Sequence, residues 1–131
     1  MRRTPILAAA CLLPAFLAGC SFFEGGALGR KFVVFFAVRS ATLDTSAREV
    51  VSHAADLAAN HPELNIQVEG YAQANGNLTA DAMLSDRRAE RVAAALRADG
   101  IAANRIQINP RSPSNEDPGI GARRVEIDFG N

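Results

Sequence analysis

The hydrophobic pattern of residues 31–131 changes period several times, and the order of these changes limits the folds that the chain can adopt. Residues 31–38 form a nearly unbroken run of aromatic and β-branched side chains, which predicts a strand buried on both faces. Apolar and polar residues alternate in three later segments, which predicts strands at residues 65–71, 105–109 and 124–129. Two further segments, one on each side of the second strand, place their apolar residues at helical spacing.

These two segments also carry helix start and stop signals. Ser46 and Glu49 have the spacing of a capping box, and Asn60-His61-Pro62 ends the first helix. Thr79 opens the second helix and Asp99-Gly100 ends it, whereas the stretch before the last strand is rich in Pro, Ser, Asn and Gly and is predicted to be an irregular loop. The order β-α-β-α-β-β over about 100 residues implies an α/β (α+β) sandwich, in which two helices cover one face of a mixed sheet.

The N-terminal segment has the features of an export signal. The basic pair Arg2-Arg3 precedes an apolar run at residues 6–16, which is shorter than the roughly 20 residues needed to span a bilayer. The run closes on Leu17-Ala18-Gly19-Cys20, which resembles a bacterial lipoprotein box, where the thiol of the cysteine is diacylated. The alternative is an ordinary export signal in which Cys20 is incidental.

The lipoprotein box divides the chain into three parts. We expect residues 1–19 to be a removed signal peptide, residues 20–30 to be the lipidated Cys20 and a short linker, and residues 31–131 to form one domain. Ser21 looks like the residue that sorts a lipoprotein to the outer membrane. The predicted location is therefore the outer membrane, held by several acyl chains, with the domain facing the periplasm.

Composition argues against several classes of function. The chain has 14 basic and 14 acidic residues, and the signal peptide removes two of the basic ones, so nothing in the charge pattern indicates nucleic acid as a partner. Removal of Cys11 and lipidation of Cys20 leave no thiol for a disulfide or a metal site. His53 and His61 lack a suitably spaced acid or cysteine, so we expect no metal and no other cofactor. Because no nucleophile elbow, phosphate loop or carboxylate pair is apparent, we expect no enzyme.

Several motifs along the chain carry a resemblance to a known family. They are Phe36-x-x-x-Ser40-Ala41-x-Leu43, Val68-Glu69-Gly70, Leu84-Ser85-x-Arg87-Arg88-Ala89, Gly100-Ile101, Asn104-Arg105-Ile106 and Arg123-Arg124-Val125-Glu126-Ile127. Residues 32–129 thereby resemble an OmpA-like domain, and its combination with a lipoprotein box is similar to the peptidoglycan-associated lipoproteins. The resemblance implies an outer-membrane anchor whose periplasmic domain binds the diaminopimelate side chain of peptidoglycan noncovalently.

The resemblance also implies a set of site residues. Arg88 matches the arginine that pairs with the carboxylate of the ligand in that family, and a guanidinium suits a carboxylate bidentately. Gln73 falls where the family has an acid for the ammonium of the ligand, so affinity for a zwitterionic ligand should fall. Asp81 stands at a family asparagine position and is a candidate replacement for that acid. Arg39 stands where the family often has an aspartate, and Arg123 is expected in the pocket wall.

Two alternatives stay open at this stage. Arg88 could lie on a solvated helix face together with the neighbouring charged residues. The domain could also keep the fold but not the ligand, and act as an interaction module that docks onto another envelope protein. Sedimentation with cell-wall sacculi would separate this second function from the peptidoglycan tether.

Overall fold

The computed structural model describes residues 31–130 and confirms the predicted order of elements. The strands are β1 (Lys31–Phe35), β2 (Asn65–Gly70), β3 (Ile106–Ile108) and β4 (Arg124–Gly130), and the helices are α1 (Thr45–Asn60) and α2 (Leu78–Ala98). Two short 3-10 helices, Ala103–Arg105 and Gly119–Ala122, precede β3 and β4. Neither α1 nor α2 is long and apolar enough to cross a membrane.

The four strands form one mixed sheet in the order β1-β4-β2-β3. The strand β4 runs antiparallel to both β1 and β2, whereas β3 is parallel to β2. The buried faces of α1 and α2 share one core with the inward side chains of the sheet, among them Val34, Ile66, Val68, Val125 and Ile127. The domain is thus an α/β sandwich with two layers, as predicted, because each helix buries its apolar stripe against the same face of the sheet.

The strand β1 is not buried on both faces, so this part of the sequence prediction is wrong. It lies at the edge of the sheet, and only Val34 of its five residues is fully covered. Phe35 is 44% exposed and Val38, which follows the strand, is 69% exposed. An edge strand in a two-layer sandwich has one neighbour and one covered face, so a continuous apolar run leaves some of its side chains in solvent.

The start of α1 also differs from the prediction. Asp44 caps the helix, because its Oδ1 accepts a hydrogen bond of 2.7 Å from the amide of Ala47. Ser46 already lies inside the helix and is exposed, so the predicted capping box is not the cap. At the other helix, the Oδ1 of Asn77 accepts a bond of 3.1 Å from Ala80 N, which fixes the start of α2.

A close contact between α2 and β2 sets the position of the second helix. The hydroxyl of Ser85 donates to the carbonyl of Gly70 at 2.7 Å, and Ala89 packs one turn further along. A Cβ atom at Gly70 would lie 2.2 Å from the backbone oxygen of Ser85. Only glycine allows this approach, and it brings Arg88, three residues after Ser85 on α2, to the loop that follows β1.

Candidate functional site

The five pocket residues expected from the sequence line one cleft beside the first turns of α2. This cleft, called the arginine cleft here, has a volume of about 430 Å³. Its walls come from the β1–α1 loop, the β2–α2 loop, α2 and the residue before β4. The residues that the sequence predicted are Arg39, Gln73, Asp81, Arg88 and Arg123. The structure therefore brings together all the predicted pocket residues, whereas Cys20 lies outside the described residues.

Arg88 is the most deeply buried charged group of the cleft, with 1% of its surface exposed. Its Nε donates to Ser40 O at 2.8 Å, one terminal nitrogen donates to Tyr71 O at 3.0 Å, and the other donates to Ala37 O at 3.3 Å. The guanidinium also lies over the ring of Phe36, 5.4 Å from its centroid. Arg88 thus ties the β1–α1 loop to the end of β2, and it is not part of a solvated helix face.

The charge of Arg88 has no internal counterion among residues 31–130, where no carboxylate forms an ion pair with it. Burial, together with the nearby positive charge of Arg123, lowers the pKa of Arg88 from its usual range to about 10. A guanidinium has five N–H donors, so its three carbonyl partners leave one N–H on each terminal nitrogen. A buried cation of this kind is stabilised by an anion that reaches it from the cleft.

Three further arginines surround this buried charge. Arg123 Nε donates to Phe36 O at 3.1 Å and its Nη1 donates to Gly119 O at 3.1 Å, which fixes the side chain in the wall. Arg39 and Arg87 are exposed at the cleft and, within residues 31–130, neither forms an ion pair with a carboxylate. Sequence analysis did not assign Arg87 to the site, although it directly precedes Arg88.

Arg39 adopts a backbone conformation that is unusual for its residue type. Its φ angle is +54°, in the left-handed region, and no other non-glycine residue between 31 and 130 has a positive φ. The neighbouring turn is closed by a 3.1 Å hydrogen bond from Ser40 N to Ala37 O. A left-handed conformation costs about 1 to 2 kcal/mol for a non-glycine residue. Arg88 binds the carbonyls of Ala37 and Ser40, which lie on either side of Arg39.

The arginine cleft offers little negative charge to a ligand. Among residues 31–130, Asp81 is the only carboxylate that lines it, and its Oδ2 already accepts a hydrogen bond of 2.6 Å from Asn75 N. Asp81 also lies in the first turn of α2, where the helix dipole stabilises its negative charge. Gln73 is held by pairing with Ser114 and is neutral. The part of the lining that the structure describes therefore carries four arginines and one aspartate, a net charge of three positive.

A second charged cluster lies on the other face of the sheet, and sequence analysis did not find it. Glu69, Glu126 and Asp128 each place a carboxylate oxygen within 4.8 Å of the others. Lys31 and Arg124 both form 3.0 Å ion pairs with Glu126, and Arg111 pairs with Glu69 at 3.3 Å. Because basic side chains already neutralise these acids, the cluster is an ion-pair network on the sheet surface.

The Tyr71 side chain belongs to this network and not to the arginine cleft. Its hydroxyl donates toward Glu69 at 3.1 Å and Glu126 at 3.2 Å, and Arg124 stacks on its ring at 3.8 Å from the centroid. Only the backbone oxygen of Tyr71 faces the cleft side, where Arg88 binds it. The arginine cleft is thus suited to bind an anion, with Gln73 as a neutral donor and acceptor.

Comparison with known proteins agrees with this fold. Residues 35–123 match the OmpA family. The structure is similar to the peptidoglycan-associated lipoprotein from Burkholderia pseudomallei, with a TM-score of 0.68 and 19% identity over 75% of this chain and 89% of that chain. It is also similar to the OmpA-like domain of FopA1 from Francisella tularensis, with a TM-score of 0.66 and 19% identity over 76% and 73% of the two chains.

The C-terminal domain of Helicobacter pylori MotB is a third similar structure, with a TM-score of 0.65 and 22% identity over 78% of this chain and 84% of that chain. No curated protein matches the sequence. At identities of 19% to 22%, the structural similarity establishes a shared fold and not a shared ligand.

Proposed function

Because the chain belongs to the OmpA family, we propose that it is an outer-membrane lipoprotein whose periplasmic domain binds peptidoglycan noncovalently and tethers the membrane to the cell wall. The observation that carries this proposal is the buried Arg88, which has three carbonyl partners and no carboxylate partner among residues 31–130. The stem peptides of peptidoglycan carry free carboxylates, and the diaminopimelate side chain places one of them at the end of a flexible arm.

The residues of the arginine cleft have distinct roles in this proposal. The carboxylate of diaminopimelate accepts hydrogen bonds from the two remaining N–H groups of Arg88, with Arg123 beside it in the wall. Arg39 and Arg87 stand at the exposed side of the cleft and attract the anionic peptide. Gln73 and Asp81 contact the nitrogen end of the same side chain. Binding requires no chemistry on the ligand, so the proposed protein is a binding protein and not an enzyme.

Co-sedimentation with purified sacculi tests this function. Arg87→Glu reverses a charge in the cleft without removing any hydrogen bond described for the fold, so we expect about tenfold weaker binding. Arg91→Glu is the matched control, because Arg91 lies one turn further along α2, is exposed and does not line the arginine cleft. Equal sedimentation of the two variants, or no sedimentation of the wild-type protein, would contradict peptidoglycan binding through this cleft.

The proposal includes a lipid anchor at Cys20 and a signal peptide at residues 1–19, both outside the described residues. It is supported by the resemblance of Leu17-Ala18-Gly19-Cys20 to a lipoprotein box. We expect Cys20→Ser to leave either an uncleaved protein or a cleaved one that moves from the detergent phase to the aqueous phase, whereas Cys11→Ser, in the same apolar segment, should change nothing. If the Cys20→Ser protein loses its signal segment and still partitions into detergent like the wild type, the protein is not anchored through that residue.

A second candidate function is an interaction module that docks onto an envelope protein. It is favoured by Gln73, which brings no charge, and by Val38 and Ile120, which are 69% and 54% exposed. Val38 lines the arginine cleft, and Ile120 lies in the 3-10 helix that supports Arg123. Failure of the wild-type protein to bind sacculi would favour this function.

A further inference from the structure

Within residues 31–130, the arginine cleft lacks a good partner for an ammonium group. A free diaminopimelate end carries a carboxylate and an ammonium on the same carbon, so both charges enter the cleft together. Arg88 and its neighbours suit the carboxylate, but Gln73 offers the ammonium only a neutral amide. The remaining acid, Asp81, is 8% exposed and already accepts the hydrogen bond from Asn75 N.

The positive charge of the cleft also acts against an ammonium. Among residues 31–130, four arginines and one aspartate line it, and no carboxylate forms an ion pair with these arginines. An ammonium placed next to the bound carboxylate therefore lies among like charges, which are only partly screened in a cleft between protein walls. A ligand end that keeps the carboxylate but carries no ammonium avoids this repulsion.

We propose that the arginine cleft selects a carboxylate that has a neutral amide beside it, and that it therefore binds diaminopimelate with an acylated side-chain amine in preference to the free amino acid end. This inference rests on the proposed function. In a peptide cross-link of the cell wall, the side-chain amine is acylated by the neighbouring stem peptide, which leaves a carboxylate and an amide on the same carbon. The protein would thus favour cross-linked peptidoglycan over free stem peptides.

The hydrogen-bonding groups of the Gln73 side chain also suit a ligand that carries an amide. An amide N–H needs an acceptor and an amide carbonyl needs a donor, and a glutamine side chain offers both. An aspartate at the same position would offer acceptors only, and would leave the amide carbonyl of the ligand to find another donor. Gln73 is also held in the cleft by its backbone, which pairs with Ser114 in the loop before β4.

Calorimetric titration of the full chain in detergent tests the selection with two probes. One is a stem tripeptide that ends in diaminopimelate with a free side-chain amine, and the other is the same tripeptide acetylated on that amine. We expect the acetylated tripeptide to bind at least tenfold more tightly. Equal binding, or tighter binding of the free amine, would refute the selection and leave the proposed function intact. If neither tripeptide binds, the proposed function and this inference both fail.

A pair of variants separates a specific contact from the general charge of the protein. Gln73→Asp should shift the affinity ratio of the two tripeptides toward the free amine by at least tenfold, because it restores an acid where the ammonium enters. Gln107→Asp adds the same charge on the exposed side of β3, away from the arginine cleft, and should leave the ratio unchanged. Equal shifts in the two variants would show that net charge alone sets the preference, and the role of Gln73 would be refuted.

Discussion

Replacement of Arg88 should destabilise the fold as well as weaken binding. Arg88→Ala removes hydrogen bonds to the backbone oxygens of Ala37, Ser40 and Tyr71, and it leaves a void beneath the β1–α1 loop. At about 1 to 1.5 kcal/mol net for each of the three bonds, we expect the free energy of unfolding to fall by about 3 to 4.5 kcal/mol. The free energy of unfolding of a domain of this size is only about 5 to 15 kcal/mol, so this loss would be a large share of the total stability.

Urea titration of the purified protein measures this effect. With a slope of about 1.5 kcal/mol per molar urea, a loss of 3 kcal/mol lowers the unfolding midpoint by about 2 M. Arg87→Ala is the matched control, because its side chain is exposed and makes no hydrogen bond described for the fold, and it should change stability by less than about 0.5 kcal/mol. A loss below about 1 kcal/mol for Arg88→Ala would show that the three carbonyl contacts do not hold the loop.

Other variants test the core, the helix cap and the sheet surface. Leu96 is fully buried, so Leu96→Ala should cost about 2 to 5 kcal/mol in the same titration. Asp44→Ala should lower the free energy of unfolding by about 1 kcal/mol, whereas Ser46→Ala should leave it nearly unchanged. The reverse order would show that Ser46 caps α1, as in the predicted capping box. Burial opposes ionisation of Glu126, but hydrogen bonds from Lys31 and Arg124 outweigh it and lower the pKa of Glu126 below 4.5. The stabilisation from Glu126 is therefore present above about pH 4.5 and is lost as pH falls through the lower pKa of the folded state. In Glu126→Gln, the free energy of unfolding should decrease less steeply as the solution is acidified.

The sequence predicted the elements well because periodicity reports which faces are buried. Alternation in β2 placed Ile66, Val68 and Gly70 on one face, and all three are buried in the structure. The same reasoning failed for β1, because an apolar run does not reveal whether a strand lies in the centre of a sheet or at its edge. It also failed at the cap of α1, where Asp44 and Ser46 are both good capping residues and only the backbone conformation selects between them.

Contacts between segments that lie far apart along the chain could not be predicted from the sequence. The carbonyl partners of Arg88 lie 17, 48 and 51 residues away along the chain, so no local spacing indicates them. The convergence of Glu69, Glu126 and Asp128 depends on the register between β2 and β4, in which Glu69 faces Glu126 and Gln67 faces Asp128. Register is a property of the assembled sheet, and alternation in each strand does not fix it.

The double role of Arg88 decides which residues can distinguish the two candidate functions. A peptidoglycan tether and an interaction module built on this fold both need Arg88, because the β1–α1 loop depends on its three hydrogen bonds. The three hydrogen bonds are therefore common to both functions, and it is the lack of a carboxylate partner for Arg88 among residues 31–130 that favours the tether. The side chains of Arg87 and Gln73 do not hold the fold together in this way. Substitutions at these two positions therefore report on ligand binding and not on stability. Loss of sacculus binding in Arg87→Glu with unchanged stability would identify the cleft as the binding site, which no result from Arg88→Ala alone can do.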